Sequence, residues 1–398
     1  MPEQLYVDVH VLQTVPPSNL NRDDAGAPKQ ATYGGTRRAR VSSQAWKRAT
    51  RKAFAGSVDD SLLGTRTRRV TGLIAARLHA RTGLATDDAL RVVTALLADS
   101  LKISVGKKAT ETAYLLFLGN AQVERIVDLV ADDAAALSGL TADELATALK
   151  ERGPRVAETL RSGHPIDVAL FGRMVADLQG LNVDAATQVG HALSTHAVDT
   201  EFDYFTAVDD QNAAEESGAG MIGNIEFTSA TLYRYATVAV HQLLPNLDGD
   251  LEAARVALRL FLTCFVESMP TGHVTSFGHR TTPALVVFVL RADQPVNLVS
   301  AFEAPVPSAA AAGYAAESVR RLAAELTAVE SLWGHTPVGV YATYSPTPDP
   351  STTAGLGPAH PFAESVALTV DAAMRFTSTD AAGQVTAAQV ATAAAVPA

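Results

Sequence analysis

The feature that most constrains the fold is a long stretch of helical periodicity, residues 60 to about 180, set between segments with strand character. Within it, apolar side chains recur at helical spacing, as at Leu90, Val93 and Leu97. Before it, apolar residues alternate in the manner of a β-strand: Leu5, Val7, Val9 and Val11. After it, residues 225–240 are rich in β-branched and aromatic side chains, which favour strands. The pattern predicts a helical domain of its own between strand-forming segments.

Shorter elements are predicted around this frame. Residues 14–36 carry three prolines and three glycines and are predicted to form a long irregular loop. A helix is expected from Ser42 or Ser43, either of which can cap it, to about Phe54. Further helices are predicted at 180–198, 251–266 and 310–332, a buried strand at 284–290 and a loop at 334–360.

The net charge of −10 conceals a strong asymmetry along the chain. Residues 1–86 hold 14 Lys and Arg against 6 Asp and Glu, whereas residues 87–398 hold 18 against 36. Such asymmetry points to contact with nucleic acid or a membrane. The longest clean apolar run, 284–290, is far shorter than the roughly 18 residues of a membrane span. Glu3 and Asp8 interrupt the N-terminal apolar positions, and Cys264 is the sole cysteine, so a cytoplasmic protein without signal peptide or disulfide is expected.

Motifs for catalysis are weak. The pattern Gly218–Gly223 matches a dinucleotide-binding glycine motif, but acids precede it and a strand-like segment follows, where a strand and then a helix are required. His191 and His196 lie five residues apart, so they do not share a helix face as metal-binding histidines do. His273 and His279 lie in a segment with Arg280, for which no further support appears. We therefore expect no enzyme activity, no cofactor and no metal site.

The strongest chemical signal is a basic stretch without acids between residues 25 and 58. It contains eight cations: Lys29, Arg37, Arg38, Arg40, Lys47, Arg48, Arg51 and Lys52. Uncharged donors at Ser42, Ser43 and Gln44 begin the predicted helix, where free backbone N–H groups suit phosphate oxygens. Three interpretations fit this composition: a surface for an extended polyanion, a solvated basic face, or a site for a small phosphorylated ligand.

Several blocks between residues 5 and 240 are similar to a known family. In chain order they are LNRDD (20–24), YGGTRRARVSSQAWKRATR (33–51), DVALFGRM (167–174), HALSTHAVD (191–199), YFTAVDD (204–210) and FTSATLYRYA (227–236). Together they resemble the CasC family, the repeating backbone subunit of the type I-E CRISPR surveillance complex, Cascade. Beyond about residue 245 the resemblance is weaker.

The resemblance implies an α+β fold shaped like a hand. A modified RNA-recognition-motif (ferredoxin-like) palm would carry inserted helical fingers and a β-hairpin thumb. The implied boundaries are palm at 1–58, fingers at 59–181, palm at 182–196, thumb at 197–226, and palm at 227–398 ending in a low-complexity tail.

The resemblance also implies which residues meet a guide RNA (crRNA). In the palm these are Asn21, Arg22, Lys29, Arg37, Arg38, Arg40, Ser42, Gln44, Lys47 and Arg51. Their contacts would be mostly to the RNA backbone, which leaves base edges available for pairing. In the thumb, Phe205 and Val208 would push between bases of the guide held by the next copy, and Met174 in the fingers would pack against a base. A core position for Phe205 is the alternative.

The function implied is that of a non-catalytic crRNA-binding subunit that forms a helical filament for antiviral defence. Its partners would be the crRNA, adjacent copies, other Cascade subunits, target DNA paired to the guide, and a helicase–nuclease recruited through the complex, with no membrane.

One departure concerns the fingers, where relatives carry a lysine-rich stretch that faces target DNA. Here the acids 132–133 and 143–144 occupy much of that region, and Lys107 and Lys108 are the candidates to replace the charge. Alternatives from other classes are a sequence-specific double-stranded DNA-binding regulator using the basic helix and a nucleotide-binding enzyme using Gly218–Gly223.

Overall fold

The computed structural model describes residues 4–101, 115–175, 178–207, 221–308, 313–345 and 350–382. Two compact units can be distinguished within the chain. The sheet unit comprises Met1–Ala53, Gln188–Ala239 and Leu258–Ala398, and the helical unit comprises Phe54–Thr187 and Val240–Ala257. Both units combine helices with strands, and the fold is α+β, as predicted.

Over the described ranges the chain forms eleven strands. They are β1 (Tyr6–Ser18), β2 (Gln30–Tyr33), β3 (Thr36–Val41), β4 (Gly64–Thr67), β5 (Leu116–Gly119), β6 (Thr187–Val189), β7 (Ala192–Ser194), β8 (Glu201–Ala207), β9 (Met221–Ala239), β10 (Leu285–Arg291) and β11 (Gly339–Tyr344).

Thirteen α-helices lie in the same described ranges. They are α1 (Ser43–Phe54), α2 (Val70–Thr82), α3 (Thr86–Leu101), α4 (Asn120–Asp128), α5 (Ala134–Ser138), α6 (Ala142–Leu149), α7 (Gly153–Arg161), α8 (Ile166–Phe171), α9 (Val240–Asn246), α10 (Leu251–Glu267), α11 (Val274–Phe277), α12 (Ala315–Trp333) and α13 (Phe362–Ala382).

An antiparallel sheet forms the framework of the sheet unit, in the order β11-β10-β1-β9-β7-β3-β2. Strand β1 lies between β10 and β9, with Val9 opposite Phe288 on one side and Ala236 on the other. It is buried along most of its length, including its polar alternate positions Asp8 and His10. Because both faces of β1 are covered from Val7 to Gln13, each of these buried side chains needs an apolar or hydrogen-bonded neighbour.

The core of the sheet unit is formed by strand side chains and by helix α12. One buried cluster includes Leu12 and Tyr233 from the sheet with Leu322 and Leu326 from α12. Helix α13 packs against β10 and β11. Asp8, on the central strand, is buried and accepts hydrogen bonds from Arg291 Nε at 3.0 Å and from the Tyr235 hydroxyl at 3.0 Å. The sheet therefore rests on a buried hydrogen-bond network as well as on apolar packing.

The helical unit has its own hydrophobic core. Helices α2, α3, α4 and α7 enclose it, and the small β4–β5 ribbon contributes Leu116 and Leu118. The amphipathic spacing predicted for residues 60 to about 180 thus buries its apolar side chains within one unit. The second segment of this unit, which contains α9, is held by Asn246, whose amide donates to the carbonyls of Ala169 and Asp184 at 2.9 and 2.8 Å.

Several predicted elements are confirmed, and three segments differ. Helix α1, helix α10 and strand β10 lie where the sequence predicted them. The helix predicted at 180–198 is wrong, because the backbone there pairs with β9 through Thr195 N–H to Thr231 O at 2.8 Å. The predicted loop at 334–360 contains strand β11, which pairs with β10. The predicted loop at 14–36 is shorter, since β1 continues to Ser18 past a register shift and β2 begins at Gln30.

Candidate nucleic-acid interface

Helix α1 presents a different chemistry on each of its faces. Three buried side chains spaced four residues apart form its inner stripe: Trp46, Thr50 and Phe54. The opposite ridge is exposed and polar: Gln44, Arg48 and Lys52. Lys47 and Arg51 lie on the flank between them and are half-buried. Partial burial lowers the pKa of Lys47, because a charged ammonium is less well solvated there.

The start of α1 is built by two of the predicted contact residues. The Ser42 hydroxyl accepts the Ala45 N–H at 3.3 Å, so Ser42 caps the helix. The Ser42 N–H donates to Asn21 Oδ1 at 2.9 Å, which joins the loop after β1 to the helix. Both residues therefore shape the site, whatever contact they also make with a ligand.

A buried arginine packs against the inner stripe of α1. The Arg234 guanidinium lies 3.8 Å from the centre of the Trp46 ring and donates to Gln13 Oε1 at 2.6 Å and to the Phe265 carbonyl. Burial lowers the pKa of Arg234 to about 9. Sequence reasoning missed this role although Arg234 lies within a block that resembles the family, because nothing near it in sequence indicates that Trp46 lies opposite.

The loop between β1 and β2 is tied to β3 by its backbone. Lys29 N–H donates to Asn21 O at 2.9 Å, and Arg40 N–H donates to Lys29 O at 2.9 Å. Asn21, Lys29 and Arg40 consequently line one small pocket together with Ser18 and Thr228. The fold thus brings two of the predicted cations and one predicted amide to a single cleft.

The β2–β3 hairpin separates two adjacent arginines that were predicted to act together. Arg37 is exposed, whereas Arg38 is fully buried. The Arg38 guanidinium donates to the carbonyls of Ser194, Phe302 and Glu303 at 2.9–3.0 Å. The prediction of Arg38 as an RNA-contact residue is therefore corrected: consecutive residues of a strand face opposite sides, and this one faces the interior.

Two histidines lie beside predicted cations, and sequence reasoning did not connect them. His191 Nδ1 is 3.2 Å from the Arg40 guanidinium, and His273 Nε2 is 3.3 Å from that of Arg22. Burial followed by the nearby charges of Arg40 and Lys29 lowers the pKa of His191. Burial and Arg22 lower the pKa of His273 in the same way. No sequence signal links these pairs, since each joins residues far apart in the chain.

Strand β8 and the first part of β9 form an exposed ribbon. Its register places Phe205 opposite Gly223, whose missing side chain leaves room for the phenyl ring. Phe205 is 41% exposed, so the alternative of a core position is wrong. Phe202 and Tyr204, on the other face of the strand, are 69% and 61% exposed. Val208, the second residue predicted to contact bases, lies outside the described residues, as do the first three residues of the Gly218–Gly223 pattern.

Met174 lies in the helical unit and is 82% exposed. Its neighbour Arg173 is buried and donates to the carbonyls of Leu181 and Leu160 at 2.8 and 2.6 Å. The backbone of Arg173 also pairs with Val183 in both directions. Met174 is therefore presented to solvent on a well-anchored segment.

The sequence analysis noted acids at 132–133 and 143–144 where relatives carry lysines. Two of these acids accept hydrogen bonds from nearby groups of the helical unit. Asp133 accepts from the Arg152 guanidinium, and this contact lowers the pKa of Asp133. Glu144 accepts from the Thr141 N–H at 2.9 Å at the start of α6. Lys107 and Lys108, the candidates to replace the missing charge, lie outside the described residues.

The described part of the chain offers neither a metal centre nor a membrane span. Among those residues, no group of three or more His, Cys, Asp or Glu side chains is arranged to hold a metal ion. Likewise, none of the helices in the described ranges combines the length and apolar character needed to cross a membrane.

Chains of two solved structures are similar to this one. The first chain belongs to a structure named CRISPR RNA-guided surveillance complex, pre-nicking. That chain is 32% identical in sequence to this one with a TM-score of 0.79, and the match covers 92% of this chain and 100% of that chain. The second, from a CRISPR RNA-guided surveillance complex, is 28% identical with a TM-score of 0.69, covering 92% and 99%. No curated protein sequence matches. The model of the CT1975-like protein family matches residues 7–367, and the chain therefore belongs to the family of CT1975-like proteins.

Proposed function

We propose that this protein is the repeating guide-RNA-binding backbone subunit of a type I-E Cascade complex, the role of CasC. The two similar chains belong to RNA-guided surveillance complexes, and the matches extend over nearly the whole of this chain. The subunit is non-catalytic and cytoplasmic, and its palm is a modified RNA-recognition motif.

The observation that carries this proposal is the arrangement of the acid-free stretch, residues 25–58. It forms the β2–β3 hairpin and α1, and its helix turns Gln44, Arg48 and Lys52 outward with Lys47 and Arg51 beside them. Lys29 and Arg40 meet at the adjoining cleft. Point charges and amides of this kind suit phosphate and sugar groups, so the surface binds RNA without regard to sequence, as a guide holder must.

Two exposed hydrophobic features support the assembly along a guide. The ribbon carries Phe205 and two further exposed aromatic side chains, and Met174 is exposed on the helical unit. Aromatic and thioether side chains stack on bases of any identity. Phe205 and Val208 of one copy separate bases of the guide held by the next, and copies repeated in this manner form a helical filament. Other Cascade subunits, target DNA and a recruited helicase–nuclease complete the set of partners.

The decisive experiment measures RNA affinity of the purified chain over a range of salt concentrations. The ligands are two single-stranded RNAs of unrelated sequence and a DNA duplex of equal length. We expect similar affinity for both RNAs. The double substitution Lys47→Glu with Arg51→Glu should weaken the binding of both RNAs to the same extent. It should also flatten the salt slope by about 1.4, since each phosphate that is no longer neutralised reduces the slope by ~0.7.

A matched variant reverses two charges elsewhere, Arg155→Glu with Arg259→Glu, both at exposed positions. It has the same net charge and should retain RNA affinity. Loss of binding to one RNA sequence only would contradict backbone recognition. Preference for the duplex over both RNAs would instead favour a DNA-binding regulator that uses α1.

A further inference from the structure

Four predicted RNA-contact residues of the sheet unit are linked by sequence neighbourhood and by a shared pocket, and we call this set the row: Arg22, Asn21, Lys29 and Arg40. Its first and last members each contact a histidine. At one end His273 contacts Arg22, and at the other His191 contacts Arg40. Between them, Asn21 directly precedes Arg22 in sequence and shares a pocket with Lys29 and Arg40. The row is therefore framed by two imidazoles that the predicted set of RNA contacts does not include.

The chemistry of arginine determines where each imidazole carries its proton. A guanidinium has five N–H donors and no acceptor. The ring nitrogen that contacts it must therefore be unprotonated, namely Nδ1 of His191 and Nε2 of His273. Both histidines are neutral in this arrangement, and each directs its remaining N–H away from its arginine.

The charges that act on the two imidazoles have the same sign. Arg40 from β3 and Lys29 from the loop between β1 and β2 act on His191, and Arg22 acts on His273. Together with burial they lower both pKa values, because a further positive charge is unfavourable beside them. A phosphate bound at these cations brings negative charge close to both imidazoles, which favours their protonated form.

We infer that His191 and His273 are positioning residues for RNA phosphates, which orient Arg40 and Arg22 in the free protein and take up protons when RNA binds. This inference rests on the proposed function. With phosphate present, each imidazole becomes a cation that donates to the phosphate oxygen, and the arginine turns its donors from the histidine to the same phosphate.

The direction of the pH effect follows from linkage. The imidazole pKa is low in the free protein and higher in the RNA complex, so binding consumes protons between those two values. RNA affinity therefore increases as pH falls across the range of about pH 8 to 5 where histidines titrate. The increase is up to about tenfold per pH unit for each histidine that is charged only in the complex.

The test compares two kinds of double substitution, with a single-stranded uridine homopolymer as probe. His191→Asn with His273→Gln keeps an acceptor oxygen near the position of each unprotonated nitrogen but removes the titration. We expect this variant to match the unmodified protein near neutral pH and to lose the gain in affinity at acidic pH. His191→Ala with His273→Ala removes the acceptors as well, and affinity near neutral pH should fall several-fold.

Calorimetry in two buffers of different ionisation enthalpy measures proton uptake directly. Uptake on RNA binding should be present in the unmodified protein and reduced in the Asn/Gln variant. The control is His335→Gln, because His335 contacts Asp293 at 2.6 Å and lies outside the row. This control should keep the full pH dependence.

Two results would overturn the inference. One is that the Asn/Gln variant shows the same increase in RNA affinity at acidic pH, and the same proton uptake, as the unmodified protein. The other is that the unmodified protein shows neither. In both cases the proposed function stands if RNA binding remains sensitive to charge reversal at Lys47 and Arg51, whereas absence of RNA binding at every pH rejects both proposals.

Discussion

At the scale of single residues, His10 makes the fold sensitive to acid. It is fully buried on β1, with Nδ1 3.0 Å from the Tyr233 hydroxyl and its ring close to that of Tyr235. Burial, with a smaller effect of Arg291, lowers the pKa of His10 to about 3. The unfolded chain has an ordinary histidine with a pKa near 6.5, so it binds the proton that the folded protein does not.

We therefore predict that His10→Gln reduces the loss of stability at low pH. Stability falls as pH decreases from about 6.5 toward 3, by roughly 1.4 kcal/mol per pH unit from this residue. Urea unfolding at about pH 7 and about pH 5 measures the slope, which should be smaller in the variant. The exposed site His79→Gln should leave the slope unchanged. An equal slope in His10→Gln would show that His10 does not govern the acid response.

Residue identity alone could not assign every member of the candidate site. The alternation of a strand predicts that Arg37 and Arg38 face opposite sides, but it does not tell which side is the interior. Carbonyl groups from two distant segments, at Ser194 and Phe302, decide that Arg38 is the buried one. The same limit applies to His191 and His273, whose partners lie far away in the sequence.

At the scale of elements, prediction succeeded where local signals agree with tertiary packing. Helix α1 has a serine cap and an apolar stripe anchored by Trp46, and it was predicted to within one residue. The segment at 180–198 has the alanine content of a helix, yet Gly190 N–H donates to Tyr235 O and the segment joins the sheet. Pairing with a long neighbouring strand outweighs a preference of a few tenths of a kcal/mol per residue. Strand β11 escaped prediction for the same reason, since β10 supplies its hydrogen bonds.

The turn of the β2–β3 hairpin gives a matched comparison between two glycines. Both have positive φ, +55° at Gly34 and +75° at Gly35, which disfavours alanine by about 1–2 kcal/mol. A Cβ on Gly34 would lie 1.7 Å from the Glu303 carbonyl oxygen, whereas a Cβ on Gly35 meets nothing within 4 Å. That carbonyl also accepts from Arg38, so the backbone there cannot move without loosening a buried guanidinium.

We predict that Gly34→Ala destabilises the protein more than Gly35→Ala. The expected difference is about 1–3 kcal/mol, the usual cost of forcing atoms into a packed region. Urea unfolding of the two variants at neutral pH measures it. Equal losses would mean that the positive φ alone explains the glycines, and that the contact with Glu303 relaxes without cost.

At the scale of the whole molecule, the two units have separate cores but neither is continuous in sequence. The helical unit takes in Val240–Ala257 from a distant part of the chain, which periodicity in residues 60 to about 180 did not indicate. Asn246 attaches that segment through two hydrogen bonds to backbone carbonyls. Both tryptophans of the chain, Trp46 and Trp333, belong to the sheet unit. Tryptophan fluorescence therefore reports on the sheet unit, whereas circular dichroism reports on helices of both.

We predict that Asn246→Ala destabilises the helical unit selectively. The buried Ala169 carbonyl that loses its donor costs about 1–3 kcal/mol, and the Asp184 carbonyl, at an exposed residue, adds less because water replaces its donor. In urea, the circular dichroism transition should gain an earlier phase that tryptophan fluorescence does not follow, because chains with separate cores depart from two-state unfolding. The exposed amide variant Gln179→Ala, also in the helical unit, should leave both signals unchanged. If the two signals shift together in Asn246→Ala, the units unfold as one cooperative body, and the second segment stabilises the entire chain rather than the helical unit.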